Sequence, residues 1–219
     1  MKVRRERLKN DKTMDSTSHD TARKIRQMFR SRMDGTVAQN MRDKGMEYRV
    51  NWGVTMMHLI DLAKEFTPDL HVALELWKDD VRESKLMALL LMPVKEFTPD
   101  IAAVWTESLR TQEIAEMAAM ILFQHLDYAP QLAYRLISES DTLRQILGYS
   151  ILSRLIARGE MPDARGLEEL ADQIKTAMGD GSLAVRHAAY NCFRKLDGCD
   201  ILADSPFWHA LCHDMEQKH

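Results

Sequence analysis

Apolar residues recur at helical spacing through most of the chain, in segments that follow one another as pairs. One such stripe predicts a helix over 68–78 and consists of Leu70, Ala73, Leu74 and Trp77. The apolar run over 86–92 predicts its partner helix over 81–92. Three further pairs are predicted over 99–109 with 112–125, 130–139 with 142–158, and 163–178 with 183–196. The pattern also predicts helices over 18–33, around 37–41 and over 55–66, and a short capping helix over 206–215.

A six-residue motif marks the boundaries between these segments. Lys-Glu-Phe-Thr-Pro-Asp occurs at 64–69 and again at 95–100, which gives a period of 31 residues (95 − 64). Repeats of about 20–50 residues are typical of stacked-repeat proteins. We expect Thr67 and Thr98 to be N-caps, each followed by a proline at the first helical position. Each motif is therefore predicted to end one helix and begin the next.

Arginines near the start of the second helices extend this period. Arg82 and Arg144 lie 62 residues apart (144 − 82), which is twice 31, Glu113 lies halfway between them, and Arg186 begins a later copy. The arginines could contact phosphates or could form bonds between repeats, and we favour the second role. Together the patterns predict an all-α fold, an α-solenoid of HEAT-like antiparallel helix pairs.

Charge is distributed unevenly along the 219 residues. Residues 1–49 carry 14 Lys and Arg against 7 Asp and Glu, whereas residues 50–219 carry 16 against 26. We therefore predict a basic N-terminal helical segment over 1–47 and a single continuous repeat domain over 48–219. The basic segment could contact phosphate or could be merely solvated.

The remaining composition narrows the class of protein. No run of about 18 apolar residues is present, so no membrane span is expected. The N-terminus lacks the apolar core of a secretion signal, and the three cysteines all follow residue 190, so we expect a cytoplasmic protein. His209 and His213 have the spacing of two metal ligands, but no Cys-x-x-Cys pair accompanies them, and we expect no metal site.

Several short motifs in order resemble one known family. They are Asn51-Trp52-Gly53-Val54, Leu62-Ala63-Lys64-Glu65, Glu75-Leu76-Trp77, and Glu83 leading into the run Ala88-Leu89-Leu90-Leu91. From about residue 48 to 197 the chain resembles the DNA alkylation repair family of HEAT-like glycosylases. The resemblance implies a right-handed solenoid whose basic concave groove holds duplex DNA. It also implies excision of cationic alkylated purines such as 3-methyladenine and 7-methylguanine, with no cofactor and no metal.

The resemblance also implies a set of site residues. Glu116 falls at the position of the family's carboxylate, which makes it the candidate catalytic residue, and Gln112 and Asn191 fall at the positions of its two tryptophans. Ile146 falls near the position of the groove arginine, so Gln112, Asn191 and Ile146 are the candidate pocket residues. Glu116 could be a carboxylate tuned by burial or an exposed residue that lines the groove.

Basic residues supply the candidate DNA contacts, and aromatic residues have two possible roles. The candidate phosphate contacts are Arg23, Lys24, Arg26, Arg30, Arg144 and Arg194. Tyr48, Trp52 and Trp77 could stack on a base, but we favour core packing. The leading hypothesis is a monomeric protein that binds duplex DNA. The alternative is a non-catalytic HEAT-like scaffold that binds a protein, or nucleic acid without chemistry.

Overall fold

A computed structural model describes residues 17–180, 182–197 and 213 of the chain. Helix α1 covers residues 17–30. The later helices are α2 (Gly35–Asp43), α3 (Met56–Ala63), α4 (Leu70–Trp77), α5 (Arg82–Leu91), α6 (Pro99–Glu107), α7 (Gln112–Ile121), α8 (Ala129–Ile137), α9 (Thr142–Ala157), α10 (Ala164–Asp180) and α11 (Leu183–Asp197). Short 3₁₀ turns lie at Val94–Glu96 and Phe123–His125. Within the described residues no strand forms beyond an isolated bridge between Val50 and Val81, so the predicted all-α class is confirmed.

The chain divides into two compact units, Met1–Ile114 and Ala115–His219. In the first unit α4 and α5 form the first predicted pair, and α3 packs on α5. In the second unit α8 packs on α9 and α10 packs on α11, as predicted for the third and fourth pairs. The predicted capping helix over 206–215 lies outside the described residues apart from 213. The boundary predicted between residues 47 and 48 stays a prediction.

The two copies of the six-residue motif begin their helices differently. Thr98 caps α6 as predicted, with its hydroxyl accepting from the Ile101 N–H and Pro99 at the start of the helix. In the first copy the predicted cap Thr67 is wrong, because Asp69 is the N-cap of α4 and accepts from the Val72 N–H at 2.8 Å. The backbone of Asp69 is extended (φ −148°, ψ 125°), which places it outside the helix, and its N–H donates to the Leu91 carbonyl at 2.9 Å.

Several polar contacts of the first unit join residues one period apart. The Arg82 guanidinium bonds Glu113, the Trp52 N–H donates to the Glu83 carboxylate, and the Trp77 indole donates to the Ser108 hydroxyl at 2.8 Å. Each of these pairs is 31 residues apart. One period along the chain therefore brings residues of this unit into direct contact. The predicted structural role of Arg82 is confirmed, since its side chain is 3% exposed and bonds Glu113 and the Val54 carbonyl.

Glu83 explains the motif Asn51-Trp52-Gly53-Val54. Its fully buried carboxylate accepts from the backbone N–H groups of Trp52 and Val54, which fixes the loop before α3. Gly53 has φ +72°, and a Cβ there would overlap the carbonyl oxygen of Asp34. Only glycine fits this conformation and this approach.

Aromatic stacking forms part of the core of the first unit. Trp77 and Trp105 stack with ring centroids 3.9 Å apart and planes 3° apart, and Phe97 meets Trp105 edge-on. Trp77 is 5% exposed, so its predicted core role is confirmed.

Helix α1 belongs to the first unit rather than extending from it. Ala22, Ile25 and Phe29 are buried on its inner face. The Arg26 guanidinium makes two bonds to the Asp79 carboxylate, at 2.7 and 3.0 Å, and donates to the Glu75 carbonyl. Residues 17–30 of the basic segment are thus packed and bonded within the first unit.

Candidate nucleic-acid interface

Positive charge is concentrated on particular helices of the second unit. Helix α9 contains two arginines and no acidic residue, and α11 contains Arg186, Arg194 and Lys195 against a single aspartate. Helix α10, the first helix of the last pair, contains two cations and four acidic residues. Within the region 50–219, whose net charge is negative, α9 and α11 are therefore basic and α10 is acidic.

The sequence of α11 divides it into an apolar face and a polar face. Val185, Ala189, Cys192, Phe193 and Leu196 are buried. On the opposite side lie four exposed side chains, Arg186, His187, Asn191 and Arg194, which we call the α11 polar face. Because residues 187, 191 and 194 follow the i, i+4, i+7 pattern, they project in one direction. The predicted residues Asn191 and Arg194 are thus brought together, and both remain accessible.

Cys192 lies on the opposite, buried side of α11. Burial raises the pKa of its thiol to about 12, although a hydrogen bond with Ser153 acts in the opposite direction. A thiol with so high a pKa holds almost no thiolate near neutral pH. This cysteine is therefore a packing residue and not a nucleophile.

Two α9 residues that the sequence assigned to the site, Ile146 and Arg144, have other roles. Ile146 has no exposed surface, so the structure contradicts its assignment to the pocket lining. It faces the core because the apolar stripe of α9 packs on α8 and α11. The Arg144 guanidinium forms an ion pair of 2.6 Å with Glu139, and both side chains are partly exposed. A phosphate contact by Arg144 would have to compete with that carboxylate.

Helix α7 presents its two carboxylates to different surroundings. Gln112 and Glu116 are exposed. The interpretation of Glu116 as a carboxylate tuned by burial is therefore wrong, whereas the exposure that the alternative assumed is confirmed. Glu113, which the sequence analysis did not assign to any site, is half-buried and accepts bonds from the Tyr48 hydroxyl and the Arg82 guanidinium.

The surroundings of Glu113 identify it as a structural residue. Burial acts to raise the pKa of its carboxyl, but the bonds and the charge of Arg82 and the bond from Tyr48 outweigh this effect, so the pKa is lowered. Burial and the bond to Glu113 raise the pKa of Tyr48. The sequence could have indicated that Arg82 and Glu113 are in contact, because Glu113 follows Arg82 by one 31-residue period.

The exposed cations of α1 form a basic surface on the first unit. Arg23, Lys24 and Arg30 are exposed, with Lys24 over the ring of Phe66 and Arg30 over the ring of Trp52, each 5.7 Å from the ring centre. Arg26 was predicted as a phosphate contact, but its guanidinium is engaged by Asp79. That prediction is not supported, since a second anion would have to displace a bidentate pair.

A narrow cavity near Trp77 does not offer a ligand site. It has a volume of about 20 Å³ and is lined in part by Tyr48, Trp77 and Lys85. A space of this size holds about one water molecule. Burial lowers the pKa of Lys85, whose ammonium group lies 4.3 Å from the centre of the Trp77 ring and donates to the Trp77 carbonyl. Lys85 thereby supplies a hydrogen-bond donor to the last carbonyl of α4.

Two further features concern membranes and metals. None of the helices that the structure describes is both long enough and apolar enough to cross a membrane. Within the described part of the chain no three His, Cys, Asp or Glu side chains are grouped as metal ligands. Cys199, His209 and Cys212 lie outside that part.

Comparison with known proteins identifies the family. A family model described as DNA alkylation repair enzyme matches residues 25–200, which is most of the chain. The chain belongs to this family. A search of curated proteins gives no match.

A solved structure supports the fold of this family member. The solved protein is described as one of "a new family of proteins related to the HEAT-like repeat DNA glycosylases with affinity for branched DNA structures". It matches with a TM-score of 0.77 at 12% sequence identity, over 90% of this chain and 82% of that chain. At this identity the likeness establishes the HEAT-like helical fold.

Proposed function

We propose that this member of the DNA alkylation repair enzyme family binds duplex DNA and that the α11 polar face contacts the sugar–phosphate backbone. The observation that carries the proposal is the exposed cluster of Arg186, His187, Asn191 and Arg194 on the basic helix α11. Arginine and asparagine side chains are common partners of phosphate and sugar. The DNA affinity described for the structural neighbour agrees with this proposal.

The spacing of the two arginines suits a DNA strand. Eight residues separate Arg186 from Arg194, which corresponds to about 12 Å along a helix axis. Successive base pairs rise by about 3.4 Å, so two guanidinium groups at that distance would span about three to four base pairs. The exposed cations Arg23, Lys24 and Arg30 of α1 are proposed as further phosphate contacts.

Charge reversal on α11 tests DNA binding. Fluorescence anisotropy with a labelled duplex would compare the wild type with Arg186→Glu/Arg194→Glu and with Arg165→Glu, which alters an exposed arginine of α10. We expect the double variant to bind at least about 10-fold more weakly, because two phosphate contacts become repulsive, and the control to change by less than about 2-fold. Equal dissociation constants for all three proteins would overturn the assignment of α11.

A second proposal concerns base excision. Glu116 is an exposed carboxylate on α7, at the position where the family carries its carboxylate. An alkylated purine already bears the positive charge that makes it a leaving group. A carboxylate beside the sugar would stabilise the oxocarbenium-like transition state as the N-glycosidic bond breaks. The bonding electron pair leaves with the purine, which becomes a neutral base, and water adds to C1′ and loses a proton to solvent. Gln112 and Asn191 are proposed to line the substrate pocket, and the substrates are 3-methyladenine and 7-methylguanine.

Release of 7-methylguanine from methylated duplex DNA tests this reaction. We expect Glu116→Gln to lower the rate by about 10² or more, as the removal of an electrostatic group commonly does. Glu107→Gln, which alters an exposed carboxylate of α6, should leave the rate unchanged. If wild-type protein binds DNA but releases no base, the non-catalytic scaffold is the better description.

A further inference from the structure

A second cavity lies wholly within the second unit, where the start of α9, the C-terminal half of α10 and the start of α11 meet. Its volume is about 340 Å³. Ligand pockets usually have volumes of about 300–1,000 Å³, so this one suits a ligand of single-ring or fused-ring size. The inner part includes Tyr149 and Val185, which are buried, and the outer part includes the exposed residues Thr142, Thr176 and Ser182.

The described residues that line this cavity are polar but uncharged. Seven of these nine residues carry hydroxyl or amide groups, and none of the nine carries a formal charge. Among them a phosphate or a metal ion would find no opposite charge to offset its desolvation. A neutral ligand with several hydrogen-bonding atoms is therefore favoured over an ion.

The two glutamine side chains provide the most versatile groups in the cavity. The Tyr149 hydroxyl donates to the main-chain carbonyl of Gln173 at 3.0 Å, so the hydroxyl oxygen of Tyr149 can still accept a bond. Gln145 uses one of its two amide hydrogens in a bond of 3.4 Å to the Ile137 carbonyl. Within the described residues the Gln173 side chain makes no hydrogen bond. An amide presents a donor and an acceptor side by side, which matches the edge of a nucleobase.

The cavity reaches the proposed DNA-binding surface at Arg186, the first residue of the α11 polar face. The Arg186 N–H donates at 2.8 Å to the carbonyl of Ser182, an exposed residue that lines the cavity. We infer that the cavity binds one unpaired nucleobase of a DNA strand held on the α11 polar face, an inference that rests on the proposed DNA binding. An unpaired or mismatched base is the suitable occupant, since extruding it from the duplex costs less than extruding a paired base.

Isolated nucleosides test the cavity independently of DNA binding. Saturation-transfer NMR would be recorded with adenosine, guanosine, cytidine and thymidine in turn. We expect at least one to bind the wild type, and Gln173→Ala to weaken it about five-fold through the loss of one hydrogen-bonding group. Gln131→Ala on α8, which alters an exposed amide outside the cavity, should leave the affinity unchanged.

A duplex carrying a single unpaired base separates failure of this inference from failure of the proposed function. We expect wild-type protein to prefer that duplex to the fully paired one, and Gln173→Ala to lose the preference while binding the paired duplex as before. Paired-duplex binding without any preference, together with no nucleoside binding, would overturn the cavity inference and leave the proposed function intact. Nucleoside binding that is sensitive to Gln173→Ala in a protein that binds no duplex would support the cavity and contradict the α11 interface.

Discussion

Arg82 is a charged residue in the interior of the first unit, and its position depends on its partners. Its guanidinium is 3% exposed and bonds the Glu113 carboxylate, with Nη2 to Oε1 at 2.6 Å. It also donates to the Val54 carbonyl at 2.9 Å and lies 3.5 Å from the Glu83 carboxylate. A buried cation of this kind is tolerated only while its donors and its charge are matched.

Replacement of Glu113 should therefore destabilise the protein. We expect Glu113→Gln to lower the free energy of unfolding by about 2 kcal/mol, because it removes the charged partner of Arg82 while Glu83 remains. Chemical denaturation followed by circular dichroism would measure the change. The exposed control Glu107→Gln should alter stability by less than about 0.5 kcal/mol. Equal stabilities for wild type and Glu113→Gln would show that the pair contributes nothing.

The same pair predicts a pH dependence. The pKa of Glu113 in the folded protein is lowered from its ordinary value of 4.5. The contribution of the ionised carboxylate is therefore complete above that value, and it is lost as pH falls through the folded pKa. The stability difference between wild type and Glu113→Gln should be constant near neutral pH and shrink in acid. Denaturation at about pH 7 and about pH 3.5 would measure both differences, and a gap that widens in acid would refute the assignment.

At the scale of the helices, the two motif copies give a comparison within one chain. Thr98 caps α6, whereas Asp69 and not Thr67 caps α4. We expect Thr98→Ala and Asp69→Ala each to cost about 1 kcal/mol, since each removes a capping bond. Thr67→Ala, with the same chemistry in the other copy, should cost much less. Thermal denaturation of the three variants checks the pattern, and equal losses for the two threonine variants would contradict it.

Helices α8 and α9 approach closely at Gly148. A Cβ there would lie 2.8 Å from both the Ala133 carbonyl oxygen and Cγ1 of Ile137. Alanine normally favours a helix over glycine, but here we expect Gly148→Ala to destabilise by about 1–3 kcal/mol because the helices must move apart. Gly179 in α10 has open space around it, so Gly179→Ala should be neutral or stabilising by up to about 1 kcal/mol. Calorimetry should give melting temperatures in that order, and a more stable Gly148→Ala protein would contradict the close approach.

Helix positions followed from the sequence better than side-chain surroundings did. The apolar spacing and the 31-residue period predicted the helix pairs because both report which faces are covered in every repeat. Position 146 was assigned to the pocket by aligning a family position. Its apolar side chain instead follows the buried stripe of α9. Arg26 was assigned from local charge, and its partner Asp79 lies 53 residues away, at a distance that local pattern cannot reveal.

The cavity in the second unit was also outside the reach of sequence patterns. Its lining comes from three helices, and the polar residues involved look like ordinary exposed positions when each helix is considered alone. The net charge of the region 50–219, by contrast, averages over helices of opposite charge, since α9 and α11 are basic while α10 is acidic.

For the whole molecule, family membership and charge distribution lead to one central claim, that the protein binds DNA through backbone contacts. The family assignment covers residues 25–200 and so includes α11. Backbone contacts of this kind release counterions, and binding must weaken as salt concentration rises. The number of contacts can be read from that dependence.

The measurement that tests this claim most directly is duplex-DNA anisotropy across a salt series, with the wild type and Arg186→Glu/Arg194→Glu. We predict that the logarithm of the binding constant falls linearly with the logarithm of salt concentration. The slope should be shallower by about 2 in the double variant, since each phosphate contact contributes about 0.9. No duplex binding at low salt, or identical slopes for the two proteins, would contradict the account.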